Sequence, residues 1–259
     1  MGGVTAISSR DNPLVARLRR LAAHPDAYRR LQQVWIEGEH LCEAWLERGG
    51  VGAQALIGET AWADPGLQRL ARRADAVAVL PDALMRGLSP LDTPAPLAFA
   101  VPWQGAGRAR PGVPTVVLDR LQDTGNVGTI LRTAAAFGFV QVVALKGTAA
   151  LWSPKVLRAG MGSHFALELV EGAGTAALDA LELPLLATSP HAPVALHLAD
   201  LPWPCAWVLG HEGQGVAAEV MERCAMAVRI AQPGGEESLN VAVAAAICLY
   251  ESSRRRGPG

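Results

Sequence analysis

The sequence predicts an α/β protein in two parts. Strand-like apolar runs alternate with amphipathic helical stretches along the whole chain, the pattern of βα units. A segment dense in Gly, Arg and Pro, Gln104 to Gly112, interrupts that pattern and marks a seam. Beyond the seam, three glycine-rich segments each follow an expected strand, as ligand-binding loops do in parallel sheets. At about 150 residues per domain, 259 residues allow one to two domains. The expected division is a first domain over 1–105, a linker over 106–113 and a second domain over 114–259.

The elements follow in order. Ser8-Ser9-Arg10-Asp11-Asn12-Pro13 is a turn that opens a helix, and Leu14, Leu18, Leu21 and Leu31 supply its apolar positions, with a break at His24-Pro25. Val34 to Ile36 reads as a strand and His40 to Arg48 as a helix. Ala53 to Ile57 and Ala76 to Leu80 are further strands, with a helix near Leu67 to Arg73 between them. After the seam, strands are expected at Thr115 to Asp119, Val140 to Leu145, Leu185 to Ala187, Ala206 to Leu209 and Val228 to Ile230. Helices are expected near Thr129 to Phe137, Ala217 to Cys224 and Ser238 to Arg254. Such a repeat implies a parallel sheet.

Composition narrows the class. With 50% hydrophobic and 18% charged residues the chain is globular rather than disordered. Its net charge of -1 leaves a nucleic-acid partner open, because affinity follows local patches. One such patch is present: Arg10, Arg17, Arg19, Arg20, Arg29 and Arg30 face only Asp11 and Asp26 in the first thirty residues. Arginine forks match phosphate geometry, although a solvated helix face reads the same way. Cys42, Cys205, Cys224 and Cys248 lack the paired spacing of a zinc site, so buried thiols and no metal are expected. The longest apolar run, Leu239 to Tyr250, is too short to span a bilayer. No membrane partner and a reducing cytoplasm are the expectations.

The three segments are Asp119-Arg120-Leu121-Gln122-Asp123-Thr124-Gly125-Asn126-Val127-Gly128, Gly210-His211-Glu212-Gly213-Gln214-Gly215 and Ile230-Ala231-Gln232-Pro233-Gly234-Gly235-Glu236-Glu237-Ser238-Leu239-Asn240. Gly213 to Ala218 formally fits a dinucleotide fingerprint. A nicotinamide site is disfavoured, however, because Glu212 would face the pyrophosphate and only 44 residues follow Gly215 (259 − 215). A carboxylate among backbone donors suits a ligand of cationic character. Asn126, Arg132, Glu212, Ser238 and Asn240 form the candidate polar cluster, with neither a nucleophilic cysteine nor metal ligands among them. Each has a plain structural alternative: an exposed helix arginine, an N-cap serine, a turn asparagine, a solvated loop acid.

Taken together these segments resemble the signature motifs of the SpoU/TrmH family of RNA ribose 2'-O-methyltransferases, of the SPOUT superfamily. Residues 115–138, 206–216 and 230–251 correspond to the three motifs, and Ile7 to Pro13 with Glu37-Gly38 resembles the family's substrate-binding domain. The resemblance implies a C-terminal domain with a deep trefoil knot and S-adenosylmethionine as cofactor. It implies a homodimer formed through the knot region, and an N-terminal ribosomal-protein-like domain that binds RNA through Arg10, Asn12, Arg17, Arg20 and Arg30. Thr188, Ser189, Leu209, Gly210, Glu212, Gly213, Ile230, Ala231, Ser238 and Leu239 would line the cofactor. Arg132 would position and activate the ribose hydroxyl and Asn126 would orient Arg132 or the ribose, while Glu212, Ser238 and Asn240 hold the network.

The implied target is 23S ribosomal RNA, because a separate N-terminal domain resembles the ribosomal-RNA members. A transfer-RNA methyltransferase and a non-catalytic assembly factor are the alternatives. The chain departs from the family pattern at Thr124 (commonly Pro), Gly160 (usually Ser), His211 (frequently Asn) and Glu236 (usually apolar).

Overall fold

The computed structural model describes residues 3–234 and 239–256. The chain divides into two compact units, Met1–Gly105 with Trp152–Phe165, and Ala106–Leu151 with Ala166–Gly259.

The first unit opens with a short strand, β1 (Val4–Ala6), and helix α1 (Pro13–Ala23). Pro13 supplies a preset φ at the start of the helix, and the Asn12 side chain accepts a hydrogen bond from the Leu14 N–H at 2.9 Å. Val15, Leu18, Leu21 and Ala22 turn inward. Pro25 then stops the helix, and α2 (Ala27–Leu31) follows, as the break at His24-Pro25 predicts. The rest runs β2 (Gln33–Glu37), α3 (Glu39–Glu47), β3 (Gln54–Gly58), α4 (Glu59–Trp62), α5 (Pro65–Ala71), β4 (Ala76–Leu80), α6 (Asp82–Arg86) and β5 (Leu97–Pro102). The sheet order is β1-β4-β3-β5-β2, parallel from β1 through β3 and antiparallel at β5 with both neighbours. The sequence reading lacks β5, whose buried Leu97 to Val101 run hides behind a proline-rich approach, and the exposed three-residue β1.

The second unit is built on β6 (Thr115–Asp119), α7 (Thr124–Ala136) and β7 (Gln141–Leu145). The chain then passes through α8 (Pro154–Gly160), which belongs to the first unit, and returns with β8 (Glu168–Ala173). The strands β9 (Leu185–Thr188) and β10 (Ala206–Gly210), the short helix α9 (Ala218–Met221), β11 (Met226–Val228) and α10 (Val241–Arg254) complete it. All pairings in the order β11-β9-β10-β6-β7-β8 are parallel. Val117, Val143, Val170, Leu185 and Val208 contribute to one buried apolar cluster, as a sheet covered by helices requires. Here β8 is the strand missing from the sequence reading. Two glutamates and Gly172 at φ +64° mask it, and a register irregularity opposite Val143 to Leu145 accompanies them.

Two boundaries move for identifiable reasons. Helix α7 starts at Thr124 rather than Thr129, because the Asp123 carboxylate caps it by accepting from the Asn126 N–H at 2.7 Å. Helix α10 starts at Val241, capped by Asn240, whose Oδ1 accepts from the N–H groups of Ala242 and Val243. Ser238, expected at its start, lies outside the described residues, as does Glu236. The glycine-rich seam is exposed yet pinned: Ala106 O accepts from the Glu171 N–H, and the Gln141 side chain exchanges hydrogen bonds with the Arg110 backbone.

Burial pushes the thiols of Cys205 and Cys248 up to about 12 and that of Cys224 to about 11; Cys42 is raised as well. All four cysteines are free. Among the described residues no helix is long and apolar enough to cross a membrane, and no cluster of His, Cys, Asp or Glu is placed to hold a metal.

Gly160, where the family usually has Ser, ends α8 against a buried histidine. A Cβ there would lie 2.6 Å from His164 Cε1, and that ring is itself held beside Trp152 at 5.3 Å between centroids. Gly160→Ser is therefore expected to destabilise the protein by about 1–3 kcal/mol through overpacking. Adding His164→Ala should recover part of the loss. Urea unfolding midpoints of the three proteins measure both effects, and equal midpoints for wild type and Gly160→Ser would show that the ring yields freely.

Candidate functional site

The strand order reverses direction at β6. From there the chain builds outward through β7 and β8, then crosses back to place β9 and β10 on the other side. Such a switch point opens a crevice at the carboxyl ends of the strands. A cavity of about 610 Å³ lies at the ends of β9, β10 and β11. Thr188, Ser189 and Pro190 line it from β9, Gly210 to Gly213 with Gly215 and Val216 from β10, and Ile230 and Gln232 from β11. Leu239, Asn240, Val241 and Ala244 close it from the start of α10.

The loop after β10 is a tight turn held by its own backbone. The His211 N–H donates to Gly215 O at 3.0 Å and the Gly215 N–H donates to His211 O at 2.8 Å. His211 Nδ1 accepts from the Gly213 and Gln214 N–H groups at 3.0 and 3.3 Å, which places the imidazole hydrogen of a neutral ring on Nε2. Gly210 is obligatory here: a Cβ would stand 2.2 Å from Gly215 backbone carbon. A second clamp comes from the end of β6. The buried Asp119 accepts from the Ala217 N–H at 2.6 Å and from Arg120 Nε at 3.0 Å. Arg120, itself at φ +61°, reaches on to Gln214 Oε1 at 3.0 Å and to Gly215 O at 3.4 Å.

Glu212 joins this loop to the start of α7. Its carboxylate accepts from the Gln122 N–H at 3.2 Å, the Asp123 N–H at 3.0 Å and Asn126 Nδ2 at 3.3 Å. Asn126 Oδ1 in turn accepts from Asn240 Nδ2 at 3.0 Å, and Asn240 caps α10. One side-chain relay thus ties together the segments after β6, after β10 and before α10. Desolvation raises the Glu212 pKa, yet the backbone N–H groups of Glu212, Asp123 and Gln122 and the Asn126 amide outweigh it and hold the carboxyl below its usual value.

Of the residues expected to line a cofactor, Thr188, Ser189, Gly210, Glu212, Gly213, Ile230 and Leu239 do line the cavity. Leu209 is buried within β10, Ala231 is exposed outside the lining, and Ser238 is outside the described residues. Asn126, Glu212 and Asn240 come together as described. Arg132 is exposed on α7 and has no hydrogen bond or ion pair among the described residues, whereas Asn126 bonds Glu212 and Asn240. In the first unit Arg10, Arg17, Arg20 and Arg30 are exposed, whereas Asn12 is committed to capping α1. Sequence reasoning missed Asp119, Arg120, Gln122 and Gln214, which act through contacts far apart in the chain. The only signal was a carboxylate at a strand end followed by an arginine.

A lowered carboxyl pKa means that Glu212 stabilises the fold above its unfolded value, about 4.3, and stops doing so as pH falls through the lower folded value. Glu212→Gln should therefore melt below wild type at pH 7, and the gap should close in acid below that range. A gap that persists unchanged in acid would mean that the charge is not what ties the loops.

Residues 114–250 match the SpoU rRNA Methylase family. An uncharacterised tRNA/rRNA methyltransferase of Synechocystis is 35% identical, over 98% of this chain and 95% of its own length. The 23S rRNA (guanosine(2553)-2'-O)-methyltransferase RlmP of Bacillus subtilis is 31% identical, over 83% of this chain and 86% of its own. Among solved structures, the AdoMet-bound rRNA methyltransferase of Sinorhizobium meliloti superposes with a TM-score of 0.84 at 26% identity, covering 99% of each chain. The matched span contains every segment that builds the cavity, and on that ground the chain belongs to the SpoU rRNA Methylase family.

Proposed function

We propose that this protein transfers the methyl group of S-adenosylmethionine to a ribose 2'-hydroxyl in RNA, and that the RNA is 23S ribosomal RNA. The observation that carries the reading is the strand-end cavity knit by Glu212, Asn126 and Asn240. Its volume suits a ligand of nucleoside size. Ile230, Leu239 and Val241 offer apolar surface for a purine, Thr188 and Ser189 offer hydroxyls, and the ionised Glu212 favours a cationic tail. S-adenosylmethionine, when bound, supplies a methyl carbon already activated by the sulfonium centre.

The chain's own task is alignment and activation of the hydroxyl. Held by Glu212 and the residues lining the cavity, S-adenosylmethionine would supply the methyl carbon to the ribose oxygen and would keep the electron pair of the broken carbon–sulfur bond on sulfur. The hydroxyl proton leaves to solvent. Arg132 has five N–H donors and no acceptor, so it steadies the developing alkoxide and the neighbouring phosphate rather than taking the proton. Its exposure, with no hydrogen bond or ion pair among the described residues, leaves it available to RNA. Glu212, Asn126 and Asn240 hold the loops, and Ser238 takes the place in the third motif that the family reserves for the same network.

A homodimer completes this reading. Val243, Ile247 and Tyr250 are 49%, 37% and 53% exposed at i, i+4 and i+7 on α10, an apolar stripe fit to meet its own copy. Tyr250 packs edge-on against Phe137 at 5.6 Å, and the neighbouring α7 carries an exposed stripe of Thr129, Arg132 and Ala136. Arg132 therefore stands beside the face assigned to the partner. A deep trefoil knot fits the path of the last segment. Arg229 before it donates to Ala192 O and Pro193 O, and Arg255 at its end donates to the carbonyls of Leu196, His197 and Ala199. The exposed Arg10, Arg17, Arg20 and Arg30 would contact RNA phosphates, and a ribosomal substrate sets the cytoplasm as the place of work.

Labelled methyl transfer to RNA from cells lacking the gene tests the proposal directly. Label on a ribose of the large ribosomal RNA is expected; ribose label confined to transfer RNA would overturn the target, and label on a base would overturn the chemistry. Arg132→Ala should reduce turnover by about 10²–10³-fold while cofactor affinity stays within about twofold. Ile247→Asp with Tyr250→Asp should shift the protein from dimer to monomer in sedimentation velocity; an unchanged dimer would reject the α10 face.

A further inference from the structure

One wall of the cavity is the loop after β10, to which Gly210, His211, Glu212, Gly213, Gly215 and Val216 contribute. The His211 ring closes that loop on itself: Nδ1 accepts from the Gly213 N–H at 3.0 Å and from the Gln214 N–H at 3.3 Å. The His211 backbone is paired at the same time with that of Gly215, so this residue holds both the base and the tip of the turn. Nδ1 accepts only while it carries no proton, because a protonated imidazole has two donors and no acceptor. With a proton there, two backbone donors would face a third. The charged groups around the turn are few. Among the described residues that line the cavity, Glu212 is the only other ionisable side chain, and the Gln122 and Asp123 N–H groups and Asn126 occupy its carboxylate. Behind the turn, at the end of β6, Arg120 reaches Gln214 Oε1 and Gly215 O; it is paired with Asp119 and also feels Glu219 of α9. On the β9 side the exposed His191 follows Ser189 and Pro190, while α10 turns only Asn240, Val241 and Ala244 to the cavity.

We propose that His211 is a positioning residue for the cofactor and makes cofactor binding depend on pH: the neutral ring shapes the loop after β10 to receive S-adenosylmethionine, and a proton on Nδ1 undoes that shape. The inference rests on the reading of the cavity as an S-adenosylmethionine site. His211 acts through the Gly213 and Gln214 N–H groups, which its ring fixes in the cavity wall. The sign follows from the chemistry of the ring, which changes charge between about pH 5 and 8. Only the neutral form holds the turn, so affinity is full on the alkaline side of that range and is lost as pH falls through it. An asparagine Oδ1 stands as many bonds from Cβ as Nδ1 does and accepts the same hydrogen bonds, yet it takes up no proton there. Asparagine at this position keeps the turn and removes the pH dependence.

Calorimetric binding of S-adenosylhomocysteine to wild type, His211→Ala and His211→Asn at about pH 8 and about pH 5.5 tests the assignment. At the higher pH His211→Ala should bind about tenfold more weakly than wild type, the worth of one hydrogen bond, and His211→Asn should recover most of that loss. At the lower pH wild type should weaken by at least about tenfold relative to His211→Asn. The proteins share Glu212, Asp119 and His191, so the effects of acid on those groups cancel in the comparison. A second readout needs no ligand: nitrogen NMR of the wild-type ring should place its hydrogen on Nε2 at the higher pH. Parallel pH profiles for wild type and His211→Asn, which a merely structural role would give, or a ring hydrogen on Nδ1, would overturn the assignment. Failure of wild type to bind S-adenosylhomocysteine at either pH, with the hydrogen found on Nε2, would instead reject the cofactor reading on which it rests.

Discussion

Three chain segments rich in glycine converge at the ends of parallel strands, and the Glu212 carboxylate keeps them in one arrangement. Glycine gives each segment the freedom to bring its backbone close to a ligand, and the same freedom costs conformational entropy when the segment is ordered. A carboxylate can accept several hydrogen bonds at once, so one side chain fixes the Gln122–Asp123 backbone and the Asn126 amide together. Asn126 then passes the constraint to Asn240, which is also the cap of α10. Helix start, loop and active-site wall are set by the same few bonds.

The sheet makes this convergence possible. Parallel pairing points the carboxyl ends of β6, β9, β10 and β11 the same way, and the order β11-β9-β10-β6-β7-β8 puts the end of β10 directly beside that of β6. Glu212 follows β10 and Asn126 follows β6, so two residues 86 positions apart become hydrogen-bonding neighbours. Asp119 at the end of β6 uses the same adjacency to hold the Ala217 N–H and, through Arg120, the Gln214–Gly215 turn. The loop that faces the ligand is therefore braced from behind as well as from the side.

Much of this was legible from residue types. Among the described residues, alternating apolar runs locate eight of the eleven strands closely enough to place the motifs, with β11 displaced by two residues; β1, β5 and β8 do not show in them. The misses share a cause: β1 is too short to show a period, and the turn residues or charges around β5 and β8 conceal the burial that only their neighbours create. The start of α7 was misplaced because Gly125 and Gly128 argue for a loop until the Asp123 cap is seen. The seam at Gln104–Gly112 has the composition of a free linker, yet Gln141 and Glu171 hold it down through bonds that composition cannot register.

By itself the sequence determined the class of fold, the parallel C-terminal sheet and the family, because periodicity, glycine spacing and short motifs are local properties carried along the chain. It also singled out Asn126, Glu212 and Asn240 as residues that belong to one site. Only the tertiary structure decided how they are joined: Asn126 hydrogen-bonds both Glu212 and Asn240. It likewise decided that Asp119 and Arg120 brace the loop, and that His164 rather than a serine hydroxyl fills the space at Gly160. Hydrogen-bond partners and steric limits depend on distances between segments remote in sequence, and those distances exist only once the sheet has chosen its strand order.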